Sequence, residues 1–393
     1  MVSKCGLVSV VWALFVLTIF NNPTIVYAGE GVPDVAIFAF GDSSYDAGNA
    51  AFVNNNKGGP QFTWPYGKSR DDPNGKFSDG HIVTDFIGDF ISIPDGIPPA
   101  LNPGANLSRG ASFAVADASI LGAPGEYMTL IDQVNKFGSM KLSWSDKYIE
   151  KSLFMIYIGM EDYLNFSKTN PSANDPSAQQ AFVVTVTNKL KSDIEALYSF
   201  GARKFMVQLL APLGCLPIVR QEHGTGNDCY QPLNDLAKQH NDKIGPMLNQ
   251  FATNYKGFQF TVFDFYNAII RRTQRNRNYR FYVANSSCCG VGTHNAYGCG
   301  MGNVHSKLCE YQRSYLYFDG RHNTEKAQEE FAHLAYGANT NVVQPMTIRE
   351  LIVYPPGQNM LDVWVPNLLS SIRRRPSTYY SHQPDSHIGF SAY

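Results

Sequence analysis

The sequence lacks long apolar runs and clustered charge. After residue 28, no apolar run approaches the roughly 20 residues of a membrane-spanning helix, so no membrane span is predicted there. Charge is nearly balanced, with 32 Lys and Arg against 33 Asp and Glu. The basic residues are scattered, which argues against nucleic-acid binding. One basic cluster, Arg373–Arg375, lies in a tail rich in Pro, Ser and Tyr. We predict that this tail, residues 356–393, is disordered.

Motifs for phosphate and for metal are also missing. Gly67-Lys68-Ser69 resembles the end of a phosphate-binding loop, but Phe62 stands where that motif requires its first glycine. His294 and His305 lie among four cysteines, yet their spacing matches no standard zinc site. The sequence therefore predicts neither a metal nor a cofactor.

The N-terminus has the pattern of a secretory signal peptide. Lys4 precedes an apolar run over residues 5–20, and Val26 and Ala28 are the small residues of a cleavage site. We predict that residues 1–28 are removed before Gly29. The mature protein would then enter the secretory pathway, for delivery outside the cell or to the vacuole.

Six cysteines remain after the predicted cleavage, and an even number in an oxidising compartment favours disulfides over metal ligation. Their pairing does not follow from the sequence. They are Cys215, Cys229, Cys288, Cys289, Cys299 and Cys309. The same compartment makes three Asn-x-Ser sequons candidate glycosylation sites, namely Asn106, Asn165 and Asn285.

Short apolar runs alternate with longer amphipathic stretches along the chain. The runs predict buried strands, and the stretches predict helices. This order predicts an α/β fold with a doubly wound, mainly parallel sheet flanked by helices, in one domain over residues 29–355. The predicted strands are Val35–Phe40, Leu153–Ile158, Phe205–Leu210 and Phe258–Phe265, and the predicted helices are Ser177–Phe200, Leu233–Tyr255 and Thr324–Tyr336. Residues 54–80 are rich in Gly, Asn, Asp and Pro, which predicts a long surface loop.

Two segments that are distant in sequence contain candidate catalytic residues. The first predicted strand ends in "FGDSS", which places Ser43 and Ser44 at the edge where doubly wound sheets hold functional residues. Near the other end of the domain, Asp319 precedes His322 by three residues, just before a predicted helix. A serine, a histidine and a carboxylate are the parts of a catalytic triad.

Four blocks, in order, resemble those of the GDSL esterase/lipase family, also called the SGNH hydrolases. They are "FAFGDSSYDAGN", "GANLSRGASF", "YIGMEDYLNF" and "FDGRH". The resemblance implies a flavodoxin-like three-layer sandwich and a serine esterase acting on an ester substrate. It further implies that Ser43 is the nucleophile, with His322 as its base and Asp319 as the orienting carboxylate. Ser44 stands where the family usually has leucine. The N–H groups of Ser43 and Gly110 would bind the oxyanion.

One residue departs from the family pattern at the oxyanion site. The third block of the family reads Gly-x-Asn-Asp, and its Asn donates to the oxyanion, whereas this chain has Glu161. An ionised carboxylate has no donor, and loss of one such donor typically costs about 10²–10³ in turnover. The sequence therefore predicts weak activity, unless burial keeps Glu161 protonated and able to donate. Replacement of Glu161 by Asn would raise the activity.

Other segments resemble the myrosinase-associated and epithiospecifier-modifier proteins of crucifer plants. They include "WPYGKSRDDPNGKFSDG" and "SCCGVGTHNAYGCG". This resemblance implies a setting in plant defence and a thioglucosidase (myrosinase) complex as partner. Two functions therefore stay open: a secreted esterase, and a weakly active or inactive interaction protein that retains the hydrolase fold.

Overall fold

The structure is a computed structural model, and it describes residues 34–53, 59–93, 96–122, 128–273, 281–337, 341–358 and 360. The predicted signal peptide and nearly all of the predicted tail lie outside these residues. The strands in these ranges are β1 (Ile37–Gly41), β2 (Gly110–Ser112), β3 (Leu153–Tyr157), β4 (Lys204–Gln208), β5 (Gln259–Phe263), β6 (Val283–Ser287), β7 (Cys289–Gly290), β8 (Lys307–Leu308), β9 (Tyr315–Tyr317) and β10 (Val343–Gln344).

Helices connect most of these strands. They are α1 (Val83–Phe90), α2 (Leu130–Met140), α3 (Asp146–Lys151), α4 (Met160–Thr169), α5 (Pro176–Ser199), α6 (Pro217–His223), α7 (Gln231–Asn254), α8 (Phe265–Thr273), α9 (Glu325–Tyr336) and α10 (Ile348–Val353). Within the described ranges, no helix has both the length and the hydropathy to cross a membrane.

Six strands form the central sheet, in the order β10-β5-β4-β3-β1-β2. All neighbours pair in parallel except β10, which runs antiparallel to β5 at one edge. β1 and β3 are buried along their whole length, as expected for strands covered on both faces. Helices α2, α5 and α7 contact one another in series, and α9 contacts α1 and α10 in a second group. The predicted class, a mainly parallel sheet between helical layers, is confirmed.

The apolar and amphipathic patterns located the main elements accurately. The four predicted strands coincide with β1, β3, β4 and β5 to within two residues at each end. The three predicted helices coincide with α5, α7 and α9 to the same precision. The last of these begins after Thr324, whose side chain accepts a hydrogen bond from the Ala327 N–H and caps the helix.

The segment before α1 is irregular, as predicted, and residues 69–74 are exposed, but many of its other described residues are buried. Tyr66 and Lys76 are both buried, and Lys76 Nζ lies 2.9 Å from Asp85 Oδ2 of α1. The polar composition indicated the absence of regular structure, but it carried no information about burial. The described part of this segment, residues 59–80, is therefore a loop that lies partly on the surface and packs partly into the domain.

The predicted disulfides are confirmed, and the structure gives their pairing. Cys215 is bonded to Cys229, Cys288 to Cys309, and Cys289 to Cys299. Among the described residues, no group of three or more His, Cys, Asp or Glu side chains is placed to hold a metal ion.

Candidate active site

Ser43 lies in a tight turn at the carboxyl end of β1. Gly41 ends this strand with a φ of 153°, and a Cβ there would lie 2.0 Å from the Tyr157 carbonyl oxygen of β3. Only glycine therefore allows β1 to approach β3 so closely at this point. In the turn that follows, the Ser44 N–H donates to Asp42 Oδ1 at 2.9 Å. The turn aims Ser43, not Ser44, at His322.

Ser43, His322 and Asp319 form a continuous hydrogen-bonded array. Ser43 Oγ lies 2.7 Å from His322 Nε2, although 279 residues separate the two in sequence. On the other side of the ring, His322 Nδ1 lies 2.9 and 2.8 Å from the two carboxylate oxygens of Asp319. These distances suit proton transfer from the serine to the imidazole, with the carboxylate orienting the ring.

Asp319 accepts several hydrogen bonds besides those to the imidazole. The backbone N–H groups of Arg321 and His322 donate to Oδ1 at 2.8 Å each, and Tyr66 Oη donates to Oδ2 at 2.8 Å. Burial alone raises the pKa of Asp319, but the attraction of His322 and these hydrogen bonds outweigh burial. The pKa therefore lies below its ordinary value. Asp319 is accordingly held as an anion.

Two aromatic residues that support this array could not be identified from the sequence. Tyr66 comes from the segment predicted to be a surface loop, and Phe77 of the same segment packs on the His322 ring, with centroids 4.6 Å apart. No motif or spacing connects either residue to Asp319 or His322. Only the tertiary packing of residues 59–80 brings them together.

The prediction for Gly110 is wrong. Gly110 pairs with Ile37 at the beginning of β1, whereas the Ser43 turn follows the opposite end of that strand. In addition, its N–H already donates to the Leu107 carbonyl oxygen at 3.0 Å. Gly110 therefore lies at the amino end of β2, away from the Ser43 turn.

The loop after β2 does reach the Ser43 turn. Its Val115 N–H donates to the Gly41 carbonyl oxygen at 3.1 Å, and Asp117, two residues further on, is exposed in the left-handed conformation with a φ of 61°. Among the described residues, neither the Ser43 N–H nor the Asp117 N–H has a hydrogen-bond partner. These two groups are therefore available as donors to a substrate oxygen.

Glu161 lies beside the array, but it is paired. It occupies the first turn of α4, directly after β3, and its Oε1 accepts a hydrogen bond from Arg321 Nη1 at 2.7 Å. Burial raises the pKa of Glu161; the attraction of Arg321 opposes this effect, and the repulsion of Asp117 adds to it. The Glu161 carboxylate, predicted at the oxyanion site, is thus paired with the Arg321 guanidinium. The sequence did not indicate this pair.

The carboxyl group of Asp42 lies in the turn that holds Ser43. Asp42 is fully buried, and among the described residues its Oδ2 has no hydrogen-bond partner. Burial raises the pKa of Asp42 to about 7, although the hydrogen bond from the Ser44 N–H acts to lower it. Below about pH 7, the protonated form of Asp42 is therefore favoured in the folded protein.

The three candidate glycosylation sites differ in accessibility. Asn106 and Asn165 are exposed. Asn285 is half-buried in β6, and its side-chain amide donates to Asn227 Oδ1 at 2.6 Å. Glycosylation stays a prediction, and Asn285 is its least accessible position.

An α/β sandwich that carries a hydrogen-bonded serine, histidine and aspartate at the carboxyl edge of its sheet is the arrangement of a serine hydrolase. The chain belongs to the GDSL-like lipase/acylhydrolase family, whose model matches residues 37–335. Its enzymatic class is therefore that of the carboxylic ester hydrolases.

Curated relatives in Arabidopsis thaliana match almost the whole chain. GDSL esterase/lipase ESM1 is 70% identical over 100% of both chains. GDSL esterase/lipase 22 is 63% identical over 96% of this chain and 97% of its own. The inactive GDSL esterase/lipase-like protein 23 is also 63% identical, over 97% and 100%. At this similarity the relatives share the fold, and one of them is named inactive.

Proposed function

We propose that the protein hydrolyses carboxylic esters with Ser43 as nucleophile, His322 as general base and Asp319 as the carboxylate that orients His322. The observation that carries this proposal is the 2.7 Å contact between Ser43 Oγ and His322 Nε2. Because Asp319 holds Nδ1, the nitrogen facing Ser43 is the one free to accept a proton.

In this mechanism, Ser43 Oγ attacks the ester carbonyl carbon while His322 Nε2 takes its proton. The imidazolium that forms is stabilised by Asp319, and it returns the proton to the leaving alcohol as the tetrahedral intermediate collapses to an acyl-enzyme. Water, deprotonated by His322, then releases the acid and regenerates Ser43.

The negative oxygen of the tetrahedral intermediate needs donors that are in place beforehand. The N–H groups of Ser43 and Asp117 fit this requirement, because both come from turns at the carboxyl edge of the sheet and both are unpaired among the described residues. We assign them as the backbone part of the oxyanion hole, with Asp117 in place of Gly110.

The cavity beside His322 bears on the size of the acyl group. Its walls include Tyr45, Tyr157 and Met160, and its volume of about 20 Å³ is little more than one water molecule occupies. Short acyl groups therefore fit the site better than long ones. Aryl esters of short acids are accordingly the first substrates to test.

We also propose the cellular setting and chain organisation predicted from the sequence. Cleavage after Ala28 would send a single domain, residues 29–355, and a disordered tail, residues 356–393, into the secretory pathway. Three disulfides support an oxidising compartment. The resemblance to myrosinase-associated proteins supports a defence setting with a thioglucosidase as partner.

A second candidate function is that of a binding partner with little activity. It is favoured by Glu161, which supplies no amide donor, and by the 63% identical relative that is named inactive. Turnover of p-nitrophenyl acetate by the purified protein separates the two candidates. The esterase proposal expects turnover that Ser43→Ala abolishes and Ser44→Ala retains. Equal rates for wild type and Ser43→Ala would favour the binding partner.

A fluorophosphonate probe tests the nucleophile directly. We expect one adduct, on the peptide containing Ser43, and no labelling of Ser43→Ala. An adduct on Ser44 that persists in Ser43→Ala would overturn the assignment of the nucleophile.

A further inference from the structure

A carboxylate stands close to the reacting serine. β1 and β3 are neighbours in the sheet, with Gly41 opposite Tyr157. Ser43 and Glu161 follow these two residues closely at the same edge. An unpaired carboxylate here would repel the oxygen that becomes negative during attack on an ester. The site as the sequence presents it therefore requires a compensating positive charge.

Arg321 supplies that charge from a fixed backbone position. It lies between Asp319 and His322, and its N–H donates to Asp319 Oδ1 at 2.8 Å. Its side chain reaches Glu161 Oε1 at 2.7 Å and is 30% exposed, against 16% for Glu161. Both Arg321 and His322 line the cavity at the active site. Arg321 thus adjoins His322 in the chain, and its guanidinium is hydrogen-bonded to Glu161 of α4.

The guanidinium keeps donor capacity after it has paired with Glu161. Arginine carries five N–H donors in a rigid plane, and among the described residues only Nη1 of Arg321 has a side-chain partner. The other charged groups that act on this pair are Asp117, Asp319, His322, Lys168 and Glu222. Of these, Lys168 and Glu222 bond to each other at 3.0 Å.

We propose that Arg321, anchored by Glu161, replaces the amide that the family uses as its side-chain oxyanion donor. A guanidinium N–H pointing at the developing oxyanion gives a charge-assisted hydrogen bond, which is stronger than one from a neutral amide. Glu161 is then a positioning residue that fixes the guanidinium. The inference rests on the proposed esterase function, and it implies that the change to Glu161 preserved catalysis.

The test compares the wild type, Arg321→Met and Glu161→Asn/Arg321→Met in p-nitrophenyl acetate turnover. We expect Arg321→Met to lower kcat by about 100-fold with KM changed by less than about 3-fold, because the donor acts mainly in the transition state. In Glu161→Asn/Arg321→Met, the family's amide donor returns and no charge is left unpaired. We therefore expect at least a tenfold recovery of kcat over Arg321→Met.

Lys168→Met is the matched control, because it also removes a cation near Glu161 but from the exposed pair with Glu222. We expect less than a twofold change in kcat. Thermal unfolding of every variant shows whether a loss of activity follows a loss of fold. An Arg321→Met enzyme as fast as wild type, or faster, would overturn the inference and show that the pair obstructs the site.

Phosphonylation of Ser43 separates failure of this inference from failure of the proposed function. A wild type that neither turns over the ester nor reacts with a fluorophosphonate at Ser43 would refute both. Reaction at Ser43 with the same rate constant in wild type and Arg321→Met would refute the role of Arg321 alone. We expect a slower rate constant in Arg321→Met, because attack on phosphorus also develops an oxyanion.

Discussion

Replacing Tyr66 by Phe removes a single hydroxyl group from behind the Ser43–His322–Asp319 array. The Tyr66 ring packs edge-on against Phe77 and Phe318, with centroids 5.9 and 5.2 Å away, and phenylalanine retains this packing. What is lost is the 2.8 Å hydrogen bond to Asp319 Oδ2. A hydrogen bond to a charged acceptor contributes roughly 1.5–3 kcal/mol. We therefore expect the free energy of unfolding to fall by about 2 kcal/mol.

The same change should alter the pH dependence of turnover. The hydrogen bond from Tyr66 helps to lower the pKa of Asp319, so its loss raises that pKa and weakens the anionic form that orients His322. If about half of the 2 kcal/mol is lost from the Asp319 anion, the acid limb of kcat/KM moves up by about 0.7 pH units.

The assay is a kcat/KM profile between pH 4 and 9, measured together with denaturant unfolding. Tyr317→Phe is the matched control, because Tyr317 is also fully buried next to the site but its hydroxyl has no partner among the described residues. We expect neither its profile nor its stability to change as in Tyr66→Phe. A Tyr66→Phe enzyme with lowered stability and an unshifted acid limb would refute the role of Tyr66 in orienting and charging Asp319.

Two further predictions concern buried charge. The pKa of Asp42 in the folded protein is raised from 3.8 to about 7, so its contribution to stability is full below pH 4 and is lost as pH rises to 7. Asp42→Asn cannot ionise, and it should therefore remove up to about 4 kcal/mol of this decline in the free energy of unfolding. Parallel plots of unfolding free energy against pH for the two proteins would contradict the prediction. Lys76→Met leaves Asp85 buried without its cation, which should cost about 3–5 kcal/mol in urea unfolding. Lys76→Met/Asp85→Asn should recover most of this loss, and Lys238→Met in an exposed pair should cost under about 1 kcal/mol; an equal cost for both single variants would contradict the expectation.

The sequence indicated those parts of the molecule that depend on local pattern. Apolar runs located β1 and β3 because a strand buried on both faces must be apolar throughout. Ser43 and His322 were identifiable because each lies in a short motif beside a recognisable element. Parallel strands bring such motifs to one edge of the sheet, so their proximity followed from the fold class.

The remaining parts depend on contacts between segments without a pattern. Tyr66 reaches Asp319 from an irregular segment whose composition predicts only a loop. Arg321 reaches Glu161 across 160 residues, and neither side chain alone indicates the other. The error at Gly110 has a similar origin, because a glycine-containing motif matches a family block without showing which end of the strand faces the site.

The sequence separation of 279 residues between Ser43 and His322 determines when the proposed triad can be assembled during synthesis. At about 5–20 residues per second, the ribosome adds His322 roughly 14–56 s after Ser43. β1 is the second strand from the edge of the sheet, next to β2, and pairs with β3 on its inner side, so its serine can be seated in a turn while its base is still untranslated. A nascent chain therefore carries the proposed nucleophile without its proposed base. Premature termination anywhere before residue 322 yields a product that lacks His322, and under the proposed mechanism we expect it to have no esterase activity.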